Sequence, residues 1–102
     1  MENLGSGLQN QQLEPFLMTL EPGVSGTRSP ITHSGEEFVH VLKGALMCVI
    51  RNREYDLEEG DSLLFLASQP HIYHNQTAEP TQILIVFQSM TGEMMAHQHH
   101  QN

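Results

Sequence analysis

Two histidines and one glutamate in this chain have the chemistry of a metal site. His33 precedes Glu37 by four residues, and His71 lies on a separate stretch further along the chain. In an extended strand Glu37 shares one face with Val39 and Val41, because side chains alternate between the two faces. If those valines line an interior, the carboxylate points inward too, where it is unfavourable unless it is paired or bound to a cation. Two imidazoles and one carboxylate with open positions suit iron, zinc, nickel or manganese.

Three further residues are candidates for a ligand pocket around this set. Tyr73 follows His71 by two residues, so an extended strand points its phenol the same way, either toward a ligand or into a half-buried wall. Arg28 can pair with an anionic ligand or lie at the surface. Asn75 can contact a ligand, although hydrogen bonding within a turn is the preferred interpretation. No catalytic residue is assigned, because no pairing of a nucleophile with a base is recognisable.

The elements that must position these residues are strands. Short apolar runs alternate with turn signals roughly every 8–12 residues, which predicts an all-β sandwich or barrel. A domain is predicted over residues 13–89, between a disordered polar tail (1–12) and a flexible His- and Met-rich tail (90–102). Some strands are apolar at consecutive positions, which favours cover on both faces and therefore a homodimer. Strands are predicted near 16–20, 37–42, 45–51, 54–57, 62–66, 71–75 and 82–88.

Composition excludes several classes of function. The chain of 102 residues is long enough for one domain with a buried core. Twelve acidic residues against four Lys and Arg give a net charge of −8, which argues against direct binding of nucleic acid. Neither a membrane-spanning run nor a signal peptide is recognisable. The single cysteine, Cys48, lies in an apolar run, which indicates a small buried side chain and a reducing, cytoplasmic location.

Two stretches carry a family resemblance. Residues 33–44 (HSGEEFVHVLKG) and 60–75 (GDSLLFLASQPHIYHN) resemble the two motifs of the cupin superfamily, and the resemblance extends over residues 13–87. It implies the cupin double-stranded β-helix, a jelly-roll barrel. It also implies that His33, Glu37 and His71 are metal ligands and that Asn75 occupies the asparagine position of the second motif.

The departures from the motifs are specific. Ile31 stands where the first histidine of the cupin pattern would be, and Leu66 and Ser68 replace a proline and a glycine of the second motif. The resemblance therefore implies three of the four metal ligands of the cupin pattern. Two alternatives follow: a metal whose shell is completed by water or by an atom of the ligand, or a barrel without metal.

One subgroup of cupins is particularly similar. Residues 15–23 (PFLMTLEPG), 33–39 and 57–62 (LEEGDS) are similar to the sensor domains of helix-turn-helix bacterial transcription regulators. That likeness implies a dimeric, effector-sensing domain that binds a small molecule. Residues 1–12 are not predicted to form a helix-turn-helix, so an excised domain and a free-standing relative are both open. The alternative function is a small metal-dependent cupin enzyme of the dioxygenase, isomerase or lyase type.

Overall fold

The computed structural model describes residues 2–5 and 10–88, and the regular structure in these residues is entirely β-strand. The all-β prediction is therefore confirmed. No helix in this part of the chain has the length and apolar character that crossing a membrane requires. The strands are β1 (Glu2–Asn3), β2 (Leu13–Leu20), β3 (Glu36–Lys43), β4 (Ala45–Ile50), β5 (Arg53–Glu58), β6 (Ser62–Leu66), β7 (His71–His74) and β8 (Thr81–Gln88).

The strands form two antiparallel sheets, as in a jelly-roll sandwich. The larger sheet has the order β1-β2-β8-β3-β6, and the smaller has the order β5-β4-β7. β3 lies inside the larger sheet, where Glu37 is opposite Phe87 of β8 on one side and Phe65 of β6 on the other. This register places the carboxylate between two aromatic residues of neighbouring strands.

β3 shows the alternation that its sequence predicts. Val39 and Val41 are fully buried and Glu37 is only 4% exposed, whereas Phe38 and His40 on the other face are half-buried. The imidazole of His40 is hydrogen-bonded to the hydroxyl of Ser62 on the neighbouring strand. An acidic side chain thus shares the buried face of β3 with two core valines.

The facing sheet completes the core. Leu46, Cys48 and Ile50 of β4 pack in one cluster with the valines of β3 and with Ile83 of β8. Burial raises the pKa of the Cys48 thiol to about 12. Because the thiolate is the nucleophilic form, a thiol held protonated in the core is a packing residue and not a nucleophile.

A short edge strand lies within the stretch predicted as a polar tail (1–12). Glu2 and Asn3 pair with Leu17 and Phe16, and the amide of Leu4 donates to the carbonyl of Pro15. Backbone hydrogen bonds can add an edge strand whatever its side-chain pattern, so a polar composition does not reveal it. The predicted tail over 90–102 lies outside the described residues, and the domain bounds stay a prediction.

Candidate metal centre and cavity

His33 reaches Glu37 because the chain bends sharply between them. Gly35 adopts a positive φ of 86°, a conformation that side chains other than glycine rarely take. The amide of His33 donates to the carbonyl of Ala67, and the amide of Ala67 donates to the carbonyl of Gly35. This bend brings Nε2 of His33 to 2.8 Å from Oε1 of Glu37.

His71 enters the same point from the smaller sheet. It begins β7, and its backbone exchanges two hydrogen bonds of 3.0 Å with Ile31. Its Nδ1 lies 2.8 Å from the carbonyl oxygen of Gln69. A carbonyl only accepts, so Nδ1 carries a proton, and in the neutral imidazole Nε2 has a free lone pair.

The second nitrogen of His71 is the unsatisfied atom of this region. Nε2 lies 3.3 Å from Oε1 of Glu37, but without the geometry of a hydrogen bond, and it has no hydrogen-bond partner among the described residues. The ring is 1% exposed. A buried polar atom left without a partner is uncommon and points to an ion or another ligand.

The donor set fits a divalent transition metal. One ligand atom from each of His33, Glu37 and His71 can be chosen so that all lie within 4.8 Å of one another. Orientation of an imidazole by a backbone carbonyl on its other nitrogen is the usual arrangement of a metal-bound histidine. The structure thus brings together the three residues that the sequence predicted as metal ligands.

Tyr73 contacts one of the two oxygens of the Glu37 carboxylate, and the histidines contact the other. Its hydroxyl donates to Oε2, while Oε1 faces the two histidines. Burial, together with the adjacent carboxylate, raises the pKa of Tyr73, so the phenol keeps its proton and acts as a donor. The phenol lies in the cavity wall, and its role toward a ligand stays a prediction.

The charges of the cluster support one another. Burial alone would raise the pKa of Glu37, but its contacts with His71, Tyr73 and His33 outweigh burial and lower it. Burial alone would lower the pKa of His71, but the Glu37 carboxylate and the Gln69 carbonyl outweigh it and raise the pKa. These contacts therefore favour an ionised Glu37 carboxylate beside a His71 imidazole of raised pKa. A metal cation would bind that imidazole in place of its proton.

A cavity of about 410 Å³ opens beside the cluster. The three candidate ligands and Tyr73 form part of its wall. The remaining lining residues are mostly apolar: Met18, Gly26, Thr27, Ile31, Thr32, Ile72, Ile85 and Phe87. The cavity has the size of a small-molecule site, for which volumes of about 300–1,000 Å³ are usual.

Comparison with known proteins identifies the family. The family model described as the Cupin domain matches residues 16–87, which is more than half of the chain. The chain belongs to the cupin family. The resemblance inferred from the two motifs is thereby confirmed, as is the jelly-roll fold that it implied.

Several solved cupins are similar to this chain. A sugar phosphate isomerase of the cupin superfamily from Silicibacter pomeroyi has 32% identity and a TM-score of 0.73, over 85% of this chain and 57% of that one. The cupin domain of an XRE family transcriptional regulator from Enterobacter cloacae has 22% identity and a TM-score of 0.76, over 86% and 93%. An HTH_3 family transcriptional regulator from Vibrio cholerae has 25% identity and a TM-score of 0.73, over 85% and 48%.

Two of these three cupins are considerably longer than the region that this chain matches. The chain spans 57% of the isomerase and 48% of the Vibrio cholerae regulator. None of the curated proteins matches the chain significantly. The cupin domain is therefore what these structures share, and the activity of the longer proteins is not carried over with it.

Two residues predicted for the ligand pocket of this cupin lie elsewhere. Asn75 is 1% exposed, and its side chain is hydrogen-bonded to Leu20, Thr77 and Glu79, away from the cavity lining. This agrees with its interpretation as a turn residue. Arg28 is exposed and does not line the cavity, although Thr27 before it does.

The apolar wall of the cupin cavity is what the sequence interpretation missed. Ile85 and Phe87 alternate along β8 on the face that packs against Val39 and Glu37. Residues 83–87 are apolar at every position, so the sequence does not show which side chains of β8 face the cavity. The pairing of β8 with β3 is a contact between distant segments. Knowledge that Glu37 pairs with Phe87 would have placed Ile85 and Phe87 in the cavity wall.

Proposed function

We propose that this chain is a small-molecule-binding, effector-sensing cupin domain that holds a divalent transition metal through His33, Glu37 and His71. The observation that carries the proposal is Nε2 of His71, which is buried, without a hydrogen-bond partner in the described chain, and directed at the other two ligands. Iron, zinc, nickel and manganese all accept two imidazoles and a carboxylate. When bound, such an ion supplies a Lewis acid with open positions for a ligand atom.

The small-molecule part of the proposal rests on the cavity. The three candidate metal ligands belong to its wall, so a molecule inside it lies next to the metal position. Cupin domains of transcriptional regulators from two bacteria share the fold. A bacterial, cytoplasmic regulator domain is the setting that these relatives and the lone, buried Cys48 support.

An enzymatic function is the second candidate, and the 32% identity to a sugar phosphate isomerase favours it. A metal-dependent enzyme also needs an acid or base beside the metal. In the cavity wall described here, the group outside the ligand set with that chemistry is the Tyr73 phenol, which is already donating to Glu37. Because this phenol is held as a donor to a metal ligand, binding is favoured over catalysis.

The metal is tested on protein purified without chelators and without nickel resin. We expect about one equivalent of metal in the wild type, and a loss of affinity of about 100-fold or more in His71→Ala. His74→Ala is the matched control, since His74 is hydrogen-bonded to Ser25 and does not line the cavity. Elemental analysis and metal titration give the result. A wild type that binds none of the four metals contradicts the proposal.

Turnover separates the two candidate functions. Metal-loaded wild type is incubated with ribose 5-phosphate or glucose 6-phosphate and the products are followed by NMR. Isomerisation that His71→Ala abolishes would establish the enzymatic candidate in place of the binding domain. Absence of turnover with retained metal and ligand binding is the result that we expect.

A homodimer is also part of the proposal. Leu42, Leu64 and Leu66 are 42%, 62% and 55% exposed, and the register places Leu64 beside Phe38 on the outer face of the larger sheet. Exposed apolar side chains on one sheet face are a usual feature of subunit interfaces. A two-fold axis would place the same patch of a second copy against it.

The dimer is tested by analytical ultracentrifugation. Leu64→Asp places a charge in the patch and is expected to weaken dimerisation by about 100-fold, since an unpaired charge in an apolar interface is strongly unfavourable. Val24→Asp is the control, because Val24 is 44% exposed but lies in the loop before β3. A monomeric wild type at high micromolar concentration contradicts this part of the proposal.

A further inference from the structure

We infer that the cavity takes a mainly apolar small molecule with a single polar head group, and not a sugar phosphate. The inference rests on the proposed function, since it names the class of ligand for the same cavity. It also separates this chain from the similar protein called a sugar phosphate isomerase. Three features of the described lining carry it: its apolar walls, its lack of Lys and Arg, and its gradient of burial.

The walls are apolar and held in place by packing. Met18, Ile85 and Phe87 contribute aliphatic and aromatic surface. Phe87 stacks on Phe16 at 5.4 Å with an interplanar angle of 11°, and meets the ring of His33 edge-on at 5.3 Å. A fixed aromatic ring beside the metal-site histidine offers a surface for another ring or an alkyl chain, and nothing for a row of hydroxyl groups.

No Lys or Arg lies among the described residues that line the cavity. The four cations of the chain, Arg28, Lys43, Arg51 and Arg53, all lie outside the lining. Phosphate groups are recognised by Arg, Lys or the amino end of a helix, and residues 2–5 and 10–88 contain no helix. With a net charge of −8 for the chain, the described lining offers a phosphate group no Lys or Arg besides the metal itself.

Burial increases from the mouth of the cavity to the cluster. Thr27, Ile31 and Thr32 are exposed, whereas Glu37 and His71 are 4% and 1% exposed. The metal-site donors therefore lie at the inner end, and the entrance carries the apolar side chain of Ile31 between two threonine hydroxyls. A ligand that matches this gradient enters with one oxygen or nitrogen donor toward the cluster and leaves its apolar body against the walls.

The test uses methyl NMR on zinc-loaded protein, because zinc is diamagnetic. The chain has five isoleucines. Ile31 and Ile85 line the cavity and report on it, whereas Ile83 is fully buried, does not line it and serves as the internal control. The probes are 3-phenylpropanol and 3-phenylpropanoate, compared with ribose 5-phosphate and glucose 6-phosphate at equal concentration.

We expect both phenylpropyl probes to shift the methyl signals of Ile31 and Ile85 more than that of Ile83, and the sugar phosphates to leave them unchanged. Ile31→Lys should lower the affinity for 3-phenylpropanol by about fivefold or more and introduce binding of ribose 5-phosphate. Val24→Lys is the matched control, because Val24 is 44% exposed against 43% for Ile31 and does not line the cavity.

The outcomes separate the ligand class from the proposed function. If the sugar phosphates shift Ile31 and Ile85 at lower concentration than the phenylpropyl probes, the ligand class is overturned and the binding function stands. If neither series shifts these methyls, the binding function itself is overturned. If Ile31→Lys leaves both affinities as in Val24→Lys, the assignment of Ile31 to the entrance is overturned.

Discussion

Two polar side chains near the two ends of β7, His71 and Asn75, are equally buried and differently bonded. Each is 1% exposed. The amide nitrogen of Asn75 donates to the carbonyls of Leu20 and Glu79, at 2.9 and 2.8 Å, and its oxygen accepts from the amide and the hydroxyl of Thr77. His71 uses one ring nitrogen on Gln69 and leaves the other without a partner in the described part of the chain.

This difference separates a structural polar residue from one that is available to a ligand. An amide side chain has two donor hydrogens and one acceptor oxygen, and in Asn75 all of them are used on neighbouring residues. Nothing remains for a ligand. An unpaired buried nitrogen lowers stability on its own, so its presence in His71 is best explained by what it binds. Both residues match the second cupin motif, and only the bonding distinguishes them.

The largest effect should come from breaking the structural side of this comparison. Asn75→Ala leaves the buried carbonyl of Leu20 without its donor and releases the turn through Thr77 and Glu79. We expect the free energy of unfolding to fall by about 2–4 kcal/mol. Urea denaturation measures the fall, and the metal affinity of the folded variant should equal that of the wild type. A stable Asn75→Ala variant with weakened metal binding would show that Asn75 supports the metal site and not the fold.

Glu37→Gln tests the metal-binding side of the comparison. The variant keeps the size of the side chain and removes the charge, so metal affinity should fall by about 100-fold. The free energy of unfolding of the metal-free protein should change by less than in Asn75→Ala. Calorimetric titration with zinc and urea denaturation in chelator provide the two numbers. If the metal affinity is unchanged, Glu37 is a partner of the histidines and Tyr73 and not a ligand.

The pH dependence of stability should change sign when the metal is bound. In the metal-free protein the pKa of His71 is raised, so its contribution to stability is complete below its ordinary value of 6.5 and is lost as pH rises through the folded pKa. Glu37 has a lowered pKa, so its contribution is present above its ordinary value of 4.5 and is lost as pH falls through the folded pKa. Metal-free protein should therefore gain most from this cluster between these two values.

Zinc reverses the trend on the alkaline side, because a metal binds the neutral imidazole and competes with its proton. Between pH 6 and 8 the stabilisation by zinc should increase while the contribution of the cluster to the metal-free protein decreases. Thermal unfolding in chelator and in excess zinc measures both. His71→Ala should flatten both trends, and Asn75→Ala should retain them. A metal-free trend that survives in His71→Ala would show that other groups cause it.

Local patterns in the sequence predicted the strands and the inner face of β3, because the period of two in Glu37, Val39 and Val41 is contained in five residues. The resemblance to the two cupin motifs predicted that His33 and His71 lie beside Glu37, and the structure brings the three residues together. The cavity wall was not predictable in this way, since Phe87 meets Glu37 only through the pairing of β8 with β3. Whether Asn75 faces a ligand or a turn likewise depended on partners in other segments, such as Leu20.

The smallest expected effect is a gain at the fourth ligand position. Ile31 is hydrogen-bonded through its backbone to His71 in both directions, and its side chain lines the cavity at 43% exposure. A histidine there has space and lies next to an existing ligand, so Ile31→His should strengthen zinc binding by about tenfold. Stability without metal should stay within about 0.5 kcal/mol, because the position is at the surface. Val24→His has similar exposure and should leave the affinity unchanged. Equal affinity in the two variants would mean that a side chain at 31 lines the entrance without reaching the cluster, and that the three-ligand set is complete as it stands.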